Sequence, residues 1–202
     1  MKKSTELELK LAVSSAETLE KIEKDGIFSG SEAKVLHLAA KYYDLASGEL
    51  QRSKASLRFR TENGIGKVTF KTKGKSSGGV FARAEWETEA SDIFDGVAKL
   101  KKAGAEELAR VGAEELVLVT EAEFTRRELS CRFEGAELCM AFDSGWLGGE
   151  DNTFCEVEAE LVSGGASALE ALGKYLSEKY SLVYEHESKR ARCERYRLSH
   201  TG

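Results

Sequence analysis

Charged and aliphatic residues alternate in the first predicted strand of the chain. Glu6, Glu8 and Lys10 fall on one face of this strand and the intervening leucines on the other, because successive side chains of a strand point to opposite sides. On an edge strand the charged face would simply meet solvent, as in most half-buried antiparallel strands. Inside a barrel, the same face would place two carboxylates and an ammonium in one cavity. Recurrence of the pattern on other strands decides between these two interpretations.

Similar alternation predicts strands along most of the chain. The Asn63-Gly64 pair indicates a hairpin between two of them, and the glycine-rich residues 74–79 are predicted to be a flexible link. A segment that starts at Val183 and carries Glu187 and Lys189 is the last expected strand. The other predicted strands are residues 35–43, 56–61, 67–73, 81–88, 116–121, 124–133, 137–143 and 154–162.

Helices are predicted where capping sequences precede apolar residues at helical spacing. Ser14-Ser-Ala-Glu17 and Ser167-Ala-Leu-Glu170 both have the spacing of a capping box. They introduce helices that end near residues 24 and 179, a third helix covers residues 91–103, and residues 104–115 form a less regular helical connection. No linker of disordered composition divides the chain, so residues 1–202 are predicted to form a single domain.

Same-face charges recur on at least five predicted strands, each with apolar residues opposite. Helices with apolar faces would cover the apolar side, which predicts a barrel with helices outside and charges inside. Desolvated charges are costly, so a ligand explains this interior better than stability does. Carboxylates suit Mg²⁺ or Mn²⁺, while arginine and lysine suit phosphate oxygens. Together they indicate a metal-chelated polyphosphate. The charges are Glu6, Glu8, Glu85, Glu87, Asp143, Glu156, Glu158 and Glu160, with Lys10, Arg58, Arg60, Lys71, Lys73, Arg83 and Lys189.

Composition excludes several classes of protein. A net charge of −5 and a pI near 5.5 argue against general nucleic-acid binding. No apolar stretch approaches the length of a membrane span and no secretory h-region follows Met1, so no membrane partner and a cytoplasmic location are expected. The four cysteines contain no Cys-x-x-Cys pair and are expected to be reduced packing residues.

The ordered charge motifs identify a family resemblance. Over residues 6 to about 198, the chain resembles the CYTH superfamily, the triphosphate tunnel metalloenzymes, and is similar to their inorganic triphosphatases. The matching motifs, in chain order, are Glu6-x-Glu8-x-Lys10, Tyr42-Tyr-Asp44, Leu57-Arg58-Phe-Arg60, Thr69-Phe-Lys71, Arg83-x-Glu85, Phe142-Asp143, Glu156-x-Glu158-x-Glu160 and Ser188-Lys189.

This resemblance implies an α+β fold, with an eight-stranded antiparallel β-barrel as the triphosphate tunnel and helices packed outside. It assigns phosphate binding to Lys10, Arg58, Arg60, Lys71, Arg83, Arg126 and Lys189. It assigns metal binding to Glu6, Glu8, Glu85, Asp143, Glu156 and Glu158, with Mg²⁺ or Mn²⁺ as the cofactor and Glu160 as a further tunnel residue. The catalytic set that it implies is Glu6, Glu8, Lys10 and Glu158.

Three departures from the family pattern affect these expectations. Strict alternation places Arg127, rather than Arg126, on the same strand face as Glu121 and Glu123. A β-bulge between them could place Arg126 on that face instead. Leu45-Ala46 follows Tyr42-Tyr-Asp44 where the family commonly has Thr-Pro, and the arginines after Lys189 lack the glycine that often follows.

The family also implies a C-terminal CHAD domain as a partner if this chain is the N-terminal part of a longer protein.

The expected activity is metal-dependent hydrolysis of inorganic triphosphate to pyrophosphate and phosphate. Other members of the superfamily hydrolyse thiamine triphosphate or cyclise ATP. Such substrates need a pocket for a ring at the tunnel mouth, for which only Tyr42, Trp86 and Trp146 are candidate walls. A non-catalytic polyphosphate-binding module is the alternative of another class.

Overall fold

The computed structural model describes residues 2–77, 79–112 and 115–200. The strands are β1 (Lys2–Val13), β2 (Lys34–Leu45), β3 (Ser56–Glu62), β4 (Ile65–Lys71), β5 (Lys75–Ser77), β6 (Val80–Glu89), β7 (Leu116–Phe133), β8 (Ala136–Leu147), β9 (Thr153–Ser163) and β10 (Val183–Tyr184). The helices are α1 (Ala16–Glu23), α2 (Glu49–Arg52), α3 (Ile93–Lys102), α4 (Ser167–Tyr180) and α5 (Lys189–His200), and two short 3₁₀ turns lie at Gly26–Phe28 and Glu106–Leu108.

Eight of the strands form a closed antiparallel barrel. Their order is β1-β9-β8-β7-β2-β3-β4-β6, and β6 pairs back with β1 from Lys2↔Glu87 to Leu9↔Val80. The short strands β5 and β10 add to β6 and β1 without entering the ring. Closure pairs the strand edges that would otherwise be exposed, and it confirms the predicted α+β barrel.

Two groups of helices pack on the barrel's outer surface. Helices α1 and α4 pack on β1, β8 and β9, where Leu9, Leu11 and Val157 are fully buried. Helix α3 packs on β3, β4 and β6 around Leu57 and Phe70. Because these apolar side chains alternate with the charged ones, burying them under helices turns the charged side chains toward the barrel interior.

Gly96 allows α3 to approach the barrel closely. A Cβ atom at this position would lie 2.1 Å from Val68 Cγ2, a distance that no packed pair of carbons tolerates. The absence of a side chain on α3 therefore sets the spacing between the helix and β4.

Several predicted elements differ from the observed ones. The expected strands 116–121 and 124–133 are one continuous strand, β7. The expected flexible link contains β5. The last expected strand is wrong beyond residue 184, because Lys189 begins a helix and not a strand. Ser188 caps this helix, since its Oγ accepts a hydrogen bond from the Ala191 N–H at 3.2 Å.

Strand β2 reverses the expected orientation of apolar residues. Its buried positions include Leu36, Leu38 and Ala40, while His37 and Lys41 between them are exposed. Its inward side chains pack with Phe124, Phe154 and Cys193 of α5. One part of the tunnel is therefore apolar, beside the charged part that the sequence predicts.

Within residues 2–77, 79–112 and 115–200, no helix is both long enough and apolar enough to span a membrane.

Candidate functional site

A cavity of about 960 Å³ lies inside the barrel. Its wall takes side chains from every strand of the ring and from the segment that enters α5. Fourteen charged residues proposed from the sequence line it: Glu6, Glu8, Lys10, Arg58, Arg60, Lys71, Lys73, Arg83, Glu85, Glu87, Arg126, Glu158, Glu160 and Lys189. Asp143 and Glu156 lie behind this wall and have no exposed surface. The structure thus brings the proposed residues together around one space.

Glu6 lies in a cluster of ion pairs where β1 meets β6. Its carboxylate accepts hydrogen bonds from Lys71 Nζ at 2.7 Å and Arg83 Nε at 2.9 Å. Arg83 also donates to Glu8 Oε1 at 2.7 Å, and Lys71 is 3.3 Å from Glu85. Burial opposes ionisation of Glu6, but Lys71 and Arg83 outweigh it and lower the pKa of Glu6 to about 2. Glu6 is therefore ionised at neutral pH.

A second cluster joins carboxylates from β8 and β9. Asp143 is the cross-strand partner of Glu156, and carboxylate oxygens of Asp143, Glu156 and Glu158 all lie within 4.8 Å of one another. Lys189 Nζ is 2.9 Å from Asp143 Oδ2 and 2.8 Å from Glu158 Oε1, and it also donates to Glu156. Arg126 forms a bidentate pair with Asp143.

The surroundings shift the pKa values of the two glutamates of this cluster in opposite directions. Burial, together with the charge of Glu158, raises the pKa of Glu156 to about 7 against the opposing effect of Lys189. Burial also opposes ionisation of Glu158, but Lys189 and Arg126 hold its pKa well below its usual range. The surroundings thus favour the ionised form of Glu158 more strongly than that of Glu156.

Arg58, Arg60 and Arg126 lie close enough to affect one another. Burial, Arg58 and Arg126 lower the pKa of Arg60 to about 10. The buried Nε atoms of Arg58 and Arg60 lack a hydrogen-bond partner among the described residues, whereas Arg60 also pairs with Glu62. Buried N–H donors without acceptors are costly. This group is therefore suited to an anionic ligand with several oxygens.

Lys10 is held differently from the other tunnel lysines. Its Nζ donates to the Glu187 carbonyl at 2.9 Å and lies 5.4 Å from the centroid of the Phe81 ring. Within the described ranges it forms no ion pair at contact distance, although its charge acts on Glu156 and Glu158. Lys10 is therefore suited to contact an anionic group in the cavity.

The structure shows which of Arg126 and Arg127 faces the tunnel. Arg127 does share a face with Glu121 and Glu123, but that face is the outer one, where Arg127 pairs with Glu23 of α1 at 2.5 Å. The register shift between β2 and β7 falls at Tyr42/Tyr43, before this stretch. Arg126 faces the tunnel without a bulge beside it.

Other charged residues were missed at the sequence level. Glu62 and Glu128 line the cavity, and period-two alternation with Arg60 and Arg126 would have found them. Arg190 and Arg192 lie on α5, where Arg190 pairs with Asp44 at 2.6 Å. The strand pattern predicted for this segment does not reveal them, although Ser188 is a usable helix-capping signal.

Two glutamates near the barrel rim have raised pKa values. Burial and the charges of Glu6 and Glu85 raise the pKa of Glu160 to about 7. Burial also raises the pKa of Glu85, with Lys71 opposing it and Glu6 adding to it. Both line the cavity, and both would ionise more readily beside a bound cation.

The donor set of the second cluster fits a hard divalent cation. Asp143, Glu156 and Glu158 offer carboxylate oxygens alone, the ligands that Mg²⁺ and Mn²⁺ prefer. Their spacing allows one ion to contact all three after small side-chain movements. The cluster is therefore a candidate metal site beside the arginine group.

Comparisons with known proteins agree with this architecture. The CYTH domain family matches residues 4–193. The inorganic triphosphatase of Haemophilus influenzae is 28% identical over an alignment of 173 residues that covers 81% of this chain and 47% of that protein. The chain thus spans about half the length of that curated relative.

Solved structures show the same fold. The Hippeastrum protein HpAC1, described as having a dominant triphosphatase activity, aligns over 95% of this chain and 96% of its own with a TM-score of 0.68 and 20% identity. A Bacillus halodurans protein solved as a candidate adenylate cyclase aligns over 95% and 98% with a TM-score of 0.65 and 20% identity. A closed barrel with a charged tunnel defines the class of triphosphate tunnel proteins. This chain belongs to the CYTH domain family.

Proposed function

We propose that this CYTH protein hydrolyses inorganic triphosphate to pyrophosphate and phosphate with a divalent metal ion. The observation that carries the proposal is the placement, at one cavity, of a three-carboxylate cluster beside arginines whose buried Nε–H groups have no partner in the part of the chain that the structure describes. Carboxylates without cations would suit metal alone, and cations without carboxylates would suit any polyanion. Both together suit a metal-bound chain of phosphates.

The metal is assigned to the cluster of Asp143, Glu156 and Glu158. Glu6, Glu8 and Glu85, which pair with Lys71 and Arg83, are proposed as further acidic residues for metal. Mg²⁺ or Mn²⁺ bound there would neutralise phosphate oxygens and polarise a water molecule. The low pKa of Glu6 and Glu158 supports this assignment, because metal ligands must be deprotonated.

Phosphate binding is assigned to the cationic wall. Arg58, Arg60 and Arg126 offer planar forks that suit bidentate contact with phosphate oxygens, and Lys10, Lys71, Arg83 and Lys189 add charges along the tunnel. Phosphoryl transfer depends mainly on positioning and charge stabilisation. The fixed side chains of the barrel supply both, and the mechanism requires no protein nucleophile.

Inorganic triphosphate is favoured because two of the three anticipated ring walls face away from the tunnel. Trp86 is buried outside the barrel among the α3 contacts, and Trp146 lies on the outer face of β8, opposite Glu123. Tyr42 borders the cavity but is buried in its apolar part. One observation favours an organic triphosphate as the second candidate. The rings of Phe81 and His186 both line the cavity, with centroids 6.0 Å apart, and could contact a base or thiazole.

A substrate panel tests this choice. Purified protein is assayed for phosphate release from inorganic triphosphate, thiamine triphosphate and ATP, with Mg²⁺, Mn²⁺ or a chelator. Fastest turnover of inorganic triphosphate, abolished by chelation, is expected. Faster turnover of either organic substrate would reject the inorganic assignment.

Two substitutions test the site itself. Arg58→Ala removes a phosphate ligand and Glu158→Gln removes a metal ligand. Loss of turnover is expected in both, with a higher metal requirement in Glu158→Gln only. Wild-type turnover and metal dependence in both variants would show that the tunnel is not the active site. Tight polyphosphate binding without phosphate release would instead favour a non-catalytic module, and a CHAD domain in a longer chain remains a prediction.

A further inference from the structure

Lys189 occupies the centre of the three-carboxylate cluster. Its Nζ contacts Asp143, Glu156 and Glu158 together, at 2.9 Å from Asp143 and 2.8 Å from Glu158. The three carboxylates converge within 4.8 Å. A metal ion shared by these oxygens would therefore lie where the ammonium now lies.

Charge balance leads to the same conclusion. Arg126 pairs with Asp143 and Glu158, and Arg192 pairs with Glu156 at 2.5 Å. With Lys189, three cations thus neutralise three carboxylates. A divalent ion added to this arrangement would leave two uncompensated positive charges in a buried site, which is unfavourable. One of the three cations must leave for the metal to bind well.

Lys189 is the cation best suited to leave. The Arg126 guanidinium is fixed to Asp143 by two hydrogen bonds of 2.8 Å, whereas a lysine ammonium is a point charge on a flexible stem. The backbone of α5 does not need to move, because the neighbouring Arg190 is anchored to Asp44 and to the Ala55 carbonyl. Rotation of the Lys189 side chain alone would bring its ammonium into the adjoining cavity.

We propose that Lys189 is an internal counter-ion that a divalent metal displaces from Asp143, Glu156 and Glu158. In the absence of metal, the lysine neutralises the buried carboxylates. Once displaced, its ammonium faces the cavity, where it binds phosphate oxygens. Metal binding therefore prepares the site for triphosphate. The inference rests on the proposed metal-dependent function and adds an order of events to it.

Mn²⁺ binding in the absence of triphosphate tests the displacement. Free Mn²⁺ is measured by electron paramagnetic resonance in titrations of wild type, Lys189→Met and Lys67→Met. Lys67 is a matched control, since it also faces the cavity but pairs with Glu62 and Glu87. We expect Lys189→Met to bind Mn²⁺ about tenfold more tightly or better, because a competing unit charge is gone. Lys67→Met should stay within about twofold of wild type.

A measurement on the wild-type protein covers the case in which Lys189→Met does not fold without metal. Lysine side chains are labelled with ¹³C at Cε, and the Lys189 signal is identified by its loss in Lys189→Arg. Added Mg²⁺ should shift this signal strongly. A Lys189 signal unchanged at saturating Mg²⁺ would overturn the displacement.

The outcomes separate this inference from the function on which it rests. Equal Mn²⁺ affinity of wild type and Lys189→Met would refute the counter-ion role and leave the metal-dependent triphosphatase intact. Equal gains in Lys189→Met and Lys67→Met would refute it too, since the general charge of the tunnel would then be the cause. Failure of wild type and both variants to bind Mn²⁺ would refute the proposed metal site itself.

Discussion

Arg126 holds Asp143 through two parallel hydrogen bonds across the β7–β8 pair, Nε to Oδ1 and Nη2 to Oδ2, each 2.8 Å long. The two residues are also direct cross-strand partners. Arg126 therefore belongs to the carboxylate cluster and to the arginine group at once, and it fixes the distance between the candidate metal and phosphate sites.

Arg126→Lys is expected to lower kcat/KM for triphosphate by about tenfold or more, because lysine cannot reproduce the bidentate fork. The matched control is Arg127→Lys, which changes the next residue on the outer face, beside Glu23. Steady-state kinetics of the two variants should differ clearly. Comparable losses in both would indicate that strand stability, and not tunnel geometry, is being measured.

Comparison of Arg58→Ala with Arg83→Ala should separate an effect on triphosphate binding from an effect on the free energy of unfolding. No ion pair to Arg58 is found within the described ranges, and its side chain donates only to Thr69 Oγ1. Its removal leaves no carboxylate without a partner, so unfolding free energy should change by about 1 kcal/mol or less while KM for triphosphate rises. Arg83→Ala leaves Glu6 and Glu8 without their shared partner, which should cost about 3 kcal/mol.

Urea denaturation and steady-state kinetics measure the two effects. Metal-free buffer is required for the denaturation, since a bound ion would itself stabilise the fold. A large stability loss in Arg58→Ala with unchanged KM would contradict the assignment of Arg58 to the ligand.

Alternation was enough to predict most of the barrel. Charged residues at every second position, as at Glu6, Glu8 and Lys10, predict both the strand and the side that faces the tunnel, because helices with apolar faces must cover the other side. The same rule fails at β2, where Leu36, Leu38 and Ala40 point inward. Nothing in a single strand's pattern states which of its faces will be covered.

Long-range contacts were beyond this kind of prediction. The pairing of Arg190 with Asp44 joins residues 146 positions apart, and it depends on α5 crossing the barrel near β7 and β8. Local sequence specified the helix through Ser188, but its position on the barrel follows from tertiary packing. The position of the Lys189 ammonium depends on the same crossing.

Asp25 connects α1 to α4 outside the tunnel. Its buried carboxylate accepts hydrogen bonds from Lys179 Nζ at 2.9 Å and Tyr180 Oη at 2.8 Å. Although burial raises its pKa, these donors and the Ile27 N–H lower it below the ordinary value of 3.8. The unfolded state therefore takes up a proton at higher pH than the folded state, so the contribution of Asp25 is present above the unfolded pKa and lost as pH falls through the folded one.

Asp25→Asn should accordingly destabilise the protein by about 1–3 kcal/mol near neutral pH. The difference from wild type should shrink as pH falls below about 4. Urea denaturation across this range measures it, and triphosphatase activity at neutral pH should be retained. A difference that is constant with pH would show that packing, rather than the charge of Asp25, is responsible.

The last prediction concerns the ion pair between Arg190 and Asp44, which holds α5 on the barrel. Arg190 donates to Asp44 Oδ2 at 2.6 Å and to the Ala55 carbonyl, and Asp44 also accepts backbone N–H groups of Leu50 and Gln51. Arg190→Met should release α5 from the barrel, at a cost of about 3–5 kcal/mol for breaking a buried pair. Hydrogen exchange should show faster exchange across residues 189–200 than across β7. Arg195→Met is the control, because Arg195 forms an exposed pair with Glu187 that contributes about 1 kcal/mol at most. Uniformly faster exchange throughout the barrel in Arg190→Met would mean that α5 unfolds only with the whole domain.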